Sequence, residues 1–516
     1  MFHLSDLYLL SPELSLTLMA LVVLGVDLFT KRRIVTVVVG LIGVLISGAF
    51  AISLALSLDF SVPHHAFFNM LVVDQYAVYF EILFAIIAAV MILASYSYVG
   101  KYVRADGEFY TLMLLSTVGA MFMASTGELI SIYISLELTS IPLYVMAGLI
   151  RTSEKSAEAA VKYVLLGAMS SAILLYGFAL LYGLTGTTDL MGIATLIKSG
   201  IHSGNVIISL QSNLIELIAG VLILAGFGFK ISAVPFHMWA PDIYEGAPTP
   251  ATAFFSVASK AAGFAALIRV FIDAGLGQVN LAPLVITISI VALVTMTLGN
   301  FVAAVQTNVK RMMAYSSIAQ VGYILVGFIA SLASDQPDGN AAVLFFIFVY
   351  VITNLGAFSG IIALANATGG ERIEDFRGLF SRAPLLSTGT ALCLLSLAGI
   401  PPLAGFVSKV FIFLAAWGVG QSLIAQGHGL LGNWLTVLVV VALINTIVSL
   451  VYYGRIVKAM FFEAPLKRDH LSTPLSLTSS IALTSAALIV ITFLAGIVLA
   501  VASPAANSLL AFLVGR

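Results

Sequence analysis

Ionisable side chains lie inside long apolar stretches of this sequence, where such groups are rare. Three of them are lysines, Lys230, Lys260 and Lys409, and one is a glutamate, Glu137. A lysine near the centre of a bilayer costs at least about 2.5 to 3.5 kcal/mol on insertion scales, and such residues usually face a bundle interior or a water-filled path. Because amines and carboxyls bind and release protons, this pattern predicts proton movement across a membrane.

The composition places these residues in an integral membrane protein. Of 516 residues, 60% are hydrophobic and 9% are charged, whereas about a quarter of a soluble domain is charged. Fourteen apolar runs have the length of about 20 residues that a helix needs to cross a bilayer. We therefore predict an all-α protein with fourteen spans, numbered 1 to 14 in chain order, near residues 8–29, 34–56, 74–98, 109–126, 128–150, 160–185, 214–236, 248–272, 281–304, 310–332, 341–366, 384–418, 432–460 and 474–502.

The basic residues indicate how the spans are oriented. The first span has no basic stretch before it and Lys31–Arg33 directly after it, which is the reverse of a cleavable signal peptide. Of the 23 Lys and Arg residues, sixteen lie in or beside odd-numbered connections and only Lys198, Arg269 and Arg516 lie on the other side. Since cytoplasmic loops carry the excess of Lys and Arg, both termini are predicted to lie outside.

Four lysines are left by this sorting, and Lys162 is the shallowest of them. It lies near the cytoplasmic end of span 6, one turn after Glu158. An interfacial lysine that pairs with this glutamate and a lysine with a functional role both fit this position. Two other acids are interpreted as structural: Glu13 as an interfacial residue of span 1, and Glu81 as a local acid of span 3 without an obvious partner.

Glu137 lies about nine residues from the outer end of span 5, and Pro142 follows it. A carboxylate at this depth needs a cation or a proton. We expect Lys230 to be its partner, because a change in the position or charge of Glu137 would then alter how strongly the lysine holds its proton. A static buried ion pair explains the two residues but not the helix breakers nearby.

Two spans are predicted to be broken beside their lysines. Span 7 breaks at Pro235 and leads into a loop over Asp242–Pro250. In this segment His237, which titrates near neutral pH, could pass protons between the water and Lys230, and a capping histidine is the alternative. Span 12 is interrupted by the segment Gly399–Pro402 before Lys409 is reached. Paired interrupted spans indicate a transport path.

Spans 7 and 12 are five spans apart and so cross in opposite directions. An inverted repeat of spans 4–8 and 9–13 requires this arrangement. The predicted units are residues 1–108 with spans 1–3, residues 109–275 and 276–465 with the two repeats, and residues 466–516 with span 14. The one cysteine, Cys393, cannot ligate an iron–sulfur cluster alone, and neither a phosphate loop nor a haem-binding pair of histidines is present. Redox chemistry is therefore expected in a partner.

Four segments carry a family resemblance: FKISAVPFHMWAPDIYEGAPTP, Glu158–Gly186, Lys310–Tyr323 and GIPPLAGFVSKVFIF. Together they resemble the antiporter-like membrane subunits of respiratory complex I, over essentially the whole chain. The chain looks most like the subunit N family and its photosynthetic counterpart. Lys409 stands where the M family typically has a glutamate, and the chain ends after span 14 without the long lateral helix of the L family.

The resemblance implies two inverted five-helix repeats and proton transfer coupled to quinone reduction in partner subunits. Glu137 and Lys230 would be the ion pair of the input half-channel, Lys260 the central relay, and Lys409 the output residue. Three further residues match family positions with less defined roles: Glu158, Lys162 and His237.

The resemblance implies no cofactor in this chain. NADH, FMN, iron–sulfur clusters and quinone are expected in partner subunits. The partners would be antiporter-like and small membrane subunits, the peripheral redox arm indirectly and the lipid bilayer, but not nucleic acid. The expected location is a bacterial inner membrane, or a thylakoid for the photosynthetic type. Three alternatives are an Mrp-type cation/proton antiporter, a redox enzyme with its own quinone site and a structural scaffold.

Overall fold

The computed structural model describes residues 4–30, 32–103, 105–198, 206–276, 281–334, 338–465 and 470–514. Five of the basic residues in the charge count lie outside the described residues: Lys31, Arg104, Lys467, Arg468 and Arg516. The described chain is mostly helical, as predicted, because a backbone in lipid must satisfy its hydrogen bonds internally. One small antiparallel sheet pairs β1 (His64–Ala66) with β2 (Leu71–Val73).

The helices follow each other with few residues between them. Two π-helical turns, Val99–Val103 and Phe255–Ser259, and one 3-10 turn, Ile373–Phe376, interrupt the series. In chain order the α-helices are α1 (Leu4–Leu9), α2 (Ser11–Phe29), α3 (Arg33–Ser57), α4 (Gln75–Tyr98), α5 (Asp106–Ser125), α6 (Leu129–Ala147), α7 (Glu154–Thr185), α8 (Leu190–Lys198), α9 (Val206–Ile231), α10 (Trp239–Gly246), α11 (Thr249–Phe254), α12 (Lys260–Asp273), α13 (Leu281–Val305), α14 (Val309–Leu332), α15 (Asp338–Thr368), α16 (Leu379–Arg382), α17 (Pro384–Ala398), α18 (Ala404–Ala425), α19 (Gly429–Phe462), α20 (Leu475–Phe493) and α21 (Ala495–Val514).

The prediction of fourteen spans is confirmed. The described residues contain 14 helical segments that are long and apolar enough to cross a membrane. The helix of span 7, α9, ends at Ile231 before Pro235, and span 12 is divided into α17 and α18, so both predicted breaks are present. Span 14 is also divided, into α20 and α21, and its helix continues past the predicted end at residue 502.

Contacts between connections divide the ends of the spans into two faces. Arg33 after span 1 pairs with Asp106 before span 4 at 3.0 Å, and ion pairs link the other odd-numbered connections in the same way. On the opposite side, Asn69 before span 3 donates to Asp189 after span 6 at 3.4 Å. We call these sides the odd face and the even face; this grouping is what fourteen alternating spans require.

The break in span 7 follows from its proline. Pro235 has no N–H and disfavours a helical conformation in the residue before it. Helix α9 ends at Ile231, and Ser232 adopts a left-handed conformation with φ of 66°. The indole Nε1 of Trp239 donates across the break to the carbonyl of Phe229 at 2.8 Å, which also accepts the N–H of Ser232 at 3.0 Å.

The predicted loop after this break is partly wrong. Trp239–Gly246 forms helix α10, and only residues 247 and 248 separate it from α11. Pro241 is the third residue of α10, where its missing N–H is one of the donors that no helix satisfies internally. Pro241 is therefore compatible with the first turn of this helix and does not prevent it from forming.

Span 12 is broken by a glycine followed by two prolines. Gly399 has φ of 84° and ends α17, as glycine often does at a helix C-terminus. The next half-helix begins at Ala404, and the N–H of Gly405 donates to Ser396 Oγ at 3.0 Å across the gap. A π-helical turn, Phe255–Ser259, also interrupts span 8 directly before Lys260, and the sequence analysis did not predict it.

Candidate functional site

Lys230 lies at the break in span 7, as the second-to-last residue of α9. Its side chain is 3% exposed, and its Nζ donates to Ser140 Oγ on α6 at 2.7 Å. The last carbonyls of a helix carry a partial negative charge. The end of this half-helix therefore stabilises an ammonium group that would otherwise be costly to bury.

The predicted direct ion pair between Glu137 and Lys230 is not formed. Ser140, one turn after Glu137 on the same helix, lies against the ammonium instead. Oε1 of Glu137 is buried and has no hydrogen-bond partner within the described part of the chain. The charge of Glu137 still acts on Lys230. The two charges are thus neighbours with a serine hydroxyl beside them.

Lys260 lies near the middle of span 8 and is 1% exposed. Its Nζ donates to Ser317 Oγ on α14, and it lies 5.6 Å from the centre of the Tyr244 ring. An aromatic face attracts a cation through its quadrupole. Among the described residues, no carboxylate pairs directly with Lys260, so a hydroxyl and an aromatic ring are its polar surroundings.

Hydroxyl groups continue from Lys260 towards the second half of the chain. Ser317 Oγ and Tyr350 Oη lie 2.8 Å apart, and Tyr350 Oη donates to the carbonyl of Ser256 at 2.8 Å. Asn354 Nδ2 donates to Ser256 Oγ at 2.6 Å. Ser256 belongs to the π-helical turn of span 8. The turn therefore supplies both a carbonyl and a hydroxyl to the polar group around Lys260.

Lys409 binds to the carbonyl oxygens that the break in span 12 releases. Its Nζ donates to Leu397 O at 3.1 Å and to Ala398 O at 3.3 Å, and lies 4.8 Å from the centre of the Tyr323 ring. Cations are held in this way at the C-terminal ends of half-helices in transporters. A Cβ on Gly399 would lie 3.2 Å from this Nζ, so glycine leaves room for it.

A small cavity lies between Lys409 and the hydroxyl groups near Lys260. Gln320, Tyr350 and Ser408 are among the residues that line it, together with Lys409, and a volume of about 10 Å³ is open to the centre of a water molecule. That is roughly the minimum for one water. Gln320 Nε2 also donates to Leu397 O at 3.1 Å, the same carbonyl that Lys409 binds.

Lys162 belongs to a charged cluster on the odd face. Its Nζ lies 2.6 Å from Glu158 Oε1, as the interfacial interpretation predicted, and 2.7 Å from Asp242 Oδ2. Arg311 binds Asp242 Oδ1 at 2.8 Å. Burial alone would raise the pKa of Asp242, which lies in α10 outside the spanning residues, but these two cations outweigh it and lower that pKa.

Replacing Lys162 with alanine is expected to change the stability of the protein by less than about 1 kcal/mol, because ion pairs exposed to solvent contribute little. The side chain of Lys162 is 40% exposed. Asp242 keeps Arg311 as a partner in the variant. Thermal unfolding in detergent measures the effect, and a loss of several kcal/mol would show that this cluster has a larger structural role.

His237 lies in the break between α9 and α10 and is 6% exposed. Its Nδ1 is buried and has no hydrogen-bond partner within the described residues. The position is close in sequence to both Lys230 and the charged cluster on the odd face. The imidazole also interacts with the backbone of Pro235 two residues earlier. The position therefore fits the proposed transfer role, and the local backbone contact fits the capping alternative.

The sequence analysis missed two buried cations. Arg269, interpreted as an outer-side residue, is 0% exposed and binds Asp74 at 2.8 Å and Asp273 at 3.1 Å. Lys310, counted with the cytoplasmic connections, is 3% exposed and binds Glu371 at 2.6 Å. The four-residue spacing of Arg269 and Asp273 was the one sequence feature that could have predicted an ion pair.

No three of the His, Cys, Asp and Glu residues described in the structure are grouped closely enough to hold a metal ion. The side chains of the site are amines, hydroxyls, amides, the carboxyl group of Glu137 and the imidazole of His237. Such groups bind and pass protons and hydrogen-bond water. The chemistry that this arrangement supports in the chain itself is proton transfer.

Comparison with known proteins gives a consistent set of relatives. The family described as NADH:quinone oxidoreductase/Mrp antiporter, TM, matches residues 126–436, which is more than half of the chain. NADH-quinone oxidoreductase subunit N of Desulfitobacterium hafniense is 44% identical over 400 residues, covering 75% of this chain and 76% of that protein.

Solved structures have the same fold. A chain of respiratory complex I from Thermus thermophilus with bound aureothin is 29% identical, with a TM-score of 0.74 and coverage of 95% of this chain and 98% of that one. A chain of the Mrp complex from Dietzia sp. is 20% identical, with a TM-score of 0.81 and coverage of 98% of both. The second likeness concerns the fold alone.

Proposed function

The chain belongs to the NADH:quinone oxidoreductase/Mrp antiporter transmembrane family, and from this premise we propose that it moves protons through a row of buried ionisable residues. It is a proton-translocating membrane subunit of an NADH-quinone oxidoreductase, similar to subunit N. The residues proposed for proton transfer are Glu137, Lys230, Lys260 and Lys409.

One observation carries this proposal. Three lysines are almost completely buried, and in the described structure none of them forms a direct ion pair with a carboxylate. Their Nζ atoms contact hydroxyls, carbonyls and aromatic rings instead: Lys230, Lys260 and Lys409. An ammonium group in such a place is held weakly enough to lose its proton. A scaffold would have no reason to retain three of them.

The contacts suggest an order of steps. Lys230 receives a proton on Nζ from the odd face, with His237 and water as donors, and the charge of Glu137 decides how firmly it is held. Loss of that stabilisation transfers the proton towards Lys260. From Lys260 the proton passes along Ser317 Oγ and Tyr350 Oη to the small cavity beside Lys409. Lys409 then releases it towards the even face.

The charge count supports an orientation. The odd face would be cytoplasmic, and the even face with both termini would be outside. In a bacterium this corresponds to the plasma membrane, and in the photosynthetic type to the thylakoid. Proton movement from the odd to the even face would then be outward.

Electron transfer is assigned to partners. NADH, FMN, the iron–sulfur clusters and quinone would bind in other subunits, and quinone reduction there would reach this chain as an electrostatic or conformational signal. The neighbouring subunits would be antiporter-like and small membrane proteins. The charged clusters on the odd face, where the connections meet, are accessible for such neighbours.

An Mrp-type cation/proton antiporter is the second candidate, because a chain of an Mrp complex has the same fold. The test is to purify the protein in mild detergent, identify the subunits that accompany it and reconstitute the complex. Copurified redox subunits and proton uptake driven by quinone reduction would support the proposed function. Sodium transport by a complex without redox subunits would contradict it.

Replacing Ser140 with alanine is expected to slow proton pumping by a smaller factor than removal of Lys230. The ammonium loses its hydrogen bond, which for a charged group is worth about 1.5 to 3 kcal/mol. Pumping by the reconstituted complex measures this. Ser135→Ala on the same helix is the matched control, because Ser135 Oγ donates only to the carbonyl of Ser131. Equal losses in both variants would remove Ser140 from the path.

A further inference from the structure

Two glutamates that take no part in the lysine series face each other at the even end of the bundle. Glu13 is near the start of α2, and Glu81 is two turns into α4. Both are 0% exposed, and their carboxyl groups lie within hydrogen-bond reach of each other. The sequence interpretation of Glu13 as interfacial is therefore wrong, and Glu81 has the partner that the sequence did not reveal.

The surroundings supply too few hydrogen-bond donors for two carboxylates. Ser125 Oγ donates to Glu13 Oε1 at 3.2 Å, and its single hydrogen is also within reach of the carbonyl of Met121 at 3.1 Å. Glu13 Oε2 and both oxygens of Glu81 have no donor within the described chain. An ionised carboxylate only accepts hydrogen bonds. Two such groups in contact therefore need a proton between them.

The buried cation Arg269 forms no ion pair with either glutamate within the described structure. Arg269 donates hydrogen bonds to Asp74, Asp273 and the carbonyl of Ala124. The charge of Asp74 also reaches Glu81. Asp74 and Asp273 already share one arginine, so a doubly ionised glutamate pair would add two more buried carboxylates without a cation of their own. Like charges in one site favour a shared proton.

We propose that Glu13 and Glu81 form a second proton-binding site, which holds one shared and exchangeable proton near the even face. The site lies on spans 1 and 3, outside the predicted repeats and outside the series from Glu137 to Lys409. Its position within two helical turns of the even face allows exchange with the water on that side. Neither the resting proton nor its exchange depends on the proposed pumping function.

Infrared spectroscopy of the intact purified complex at neutral pH tests the site. In the unaltered protein we expect a protonated-carboxyl band that shifts in D₂O. Both Glu81→Gln and Glu13→Gln should lose this band, because an amide donates to the remaining carboxylate and replaces the proton. The amide can also hydrogen-bond to the remaining carboxylate, so the fold should be retained. Because two variants are made, the test still works if one of them does not fold.

Glu128→Gln is the matched control. Glu128 lies on the even face and is 7% exposed, but its Oε2 accepts hydrogen bonds from Ser131 N at 2.7 Å and Ser131 Oγ at 2.9 Å. Its carboxyl oxygen is paired with donors rather than with a second carboxyl group, so its substitution should leave the band unchanged. A band that persists in both pair variants, that does not shift in D₂O, or that disappears on addition of sodium to the unaltered protein would overturn the proposal.

Discussion

Replacing Lys230 with alanine is expected to lower proton pumping by about tenfold or more, because a positioned group that binds and releases the proton is lost. Assembly should be largely intact, since the substitution removes a buried ammonium rather than leaving one unpaired. Quinone reduction should slow in parallel if the two processes are coupled. Reconstituted complex, with its subunit composition verified, gives both rates.

Two further variants sharpen this test. Glu137→Ala should produce a similar loss, because the charge of Glu137 acts on Lys230 without a direct ion pair. Lys458→Ala removes a lysine that is 70% exposed on the odd face and should leave both rates unchanged. Normal pumping by the fully assembled Lys230→Ala variant would contradict the proposed mechanism. A loss of pumping in the Lys458→Ala control would indicate that substitution damages the complex non-specifically.

Replacing Arg269 with alanine should have the largest effect on stability. The arginine is 0% exposed and binds both Asp74 and Asp273. Removing one partner of a buried ion pair typically costs about 3 to 5 kcal/mol, because the remaining charges stay buried. We expect a low yield of assembled protein and a lower unfolding temperature in detergent.

A further variant separates the effect of unpaired buried charges on stability from the effect of lost side-chain packing. A triple variant, Arg269→Met with Asp74→Asn and Asp273→Asn, removes all three charges and keeps similar volumes. Asn also retains the cap of α4, where Asp74 accepts from Ala77 N at 2.7 Å. Most of the stability should return. If the triple variant is as unstable as Arg269→Ala, buried carboxylates without a cation are not the cause of the instability.

The lysines of the site could be found from the sequence because their depth is a local property. A span is a run of about 20 apolar residues, so the distance of Lys230, Lys260 or Lys409 from its ends can be counted. The breaks in spans 7 and 12 are equally local, since Pro235 and the segment Gly399–Pro402 disfavour helical backbone through their own geometry. The burial of the three lysines and both breaks are confirmed, and the role of the lysines in proton transfer stays a prediction.

The partners of those lysines were not predictable in the same way. Ser140 rather than Glu137 contacts Lys230, and backbone carbonyls rather than a side chain hold Lys409. Which residue of α6 faces α9 depends on the rotation of each helix about its axis. A helix that is apolar all round shows no stripe from which this rotation could be derived.

The sequence by itself therefore determined the membrane class, the fourteen spans, the two breaks and the burial of Lys230, Lys260 and Lys409, because each depends on neighbours in the chain. Only the tertiary structure decided which charges meet. Glu13 and Glu81 are 68 positions apart, and Asp74 and Arg269 are separated by 195. Their contacts arise from the packing of helices that sequence periodicity does not orient, and packing alone brings them together.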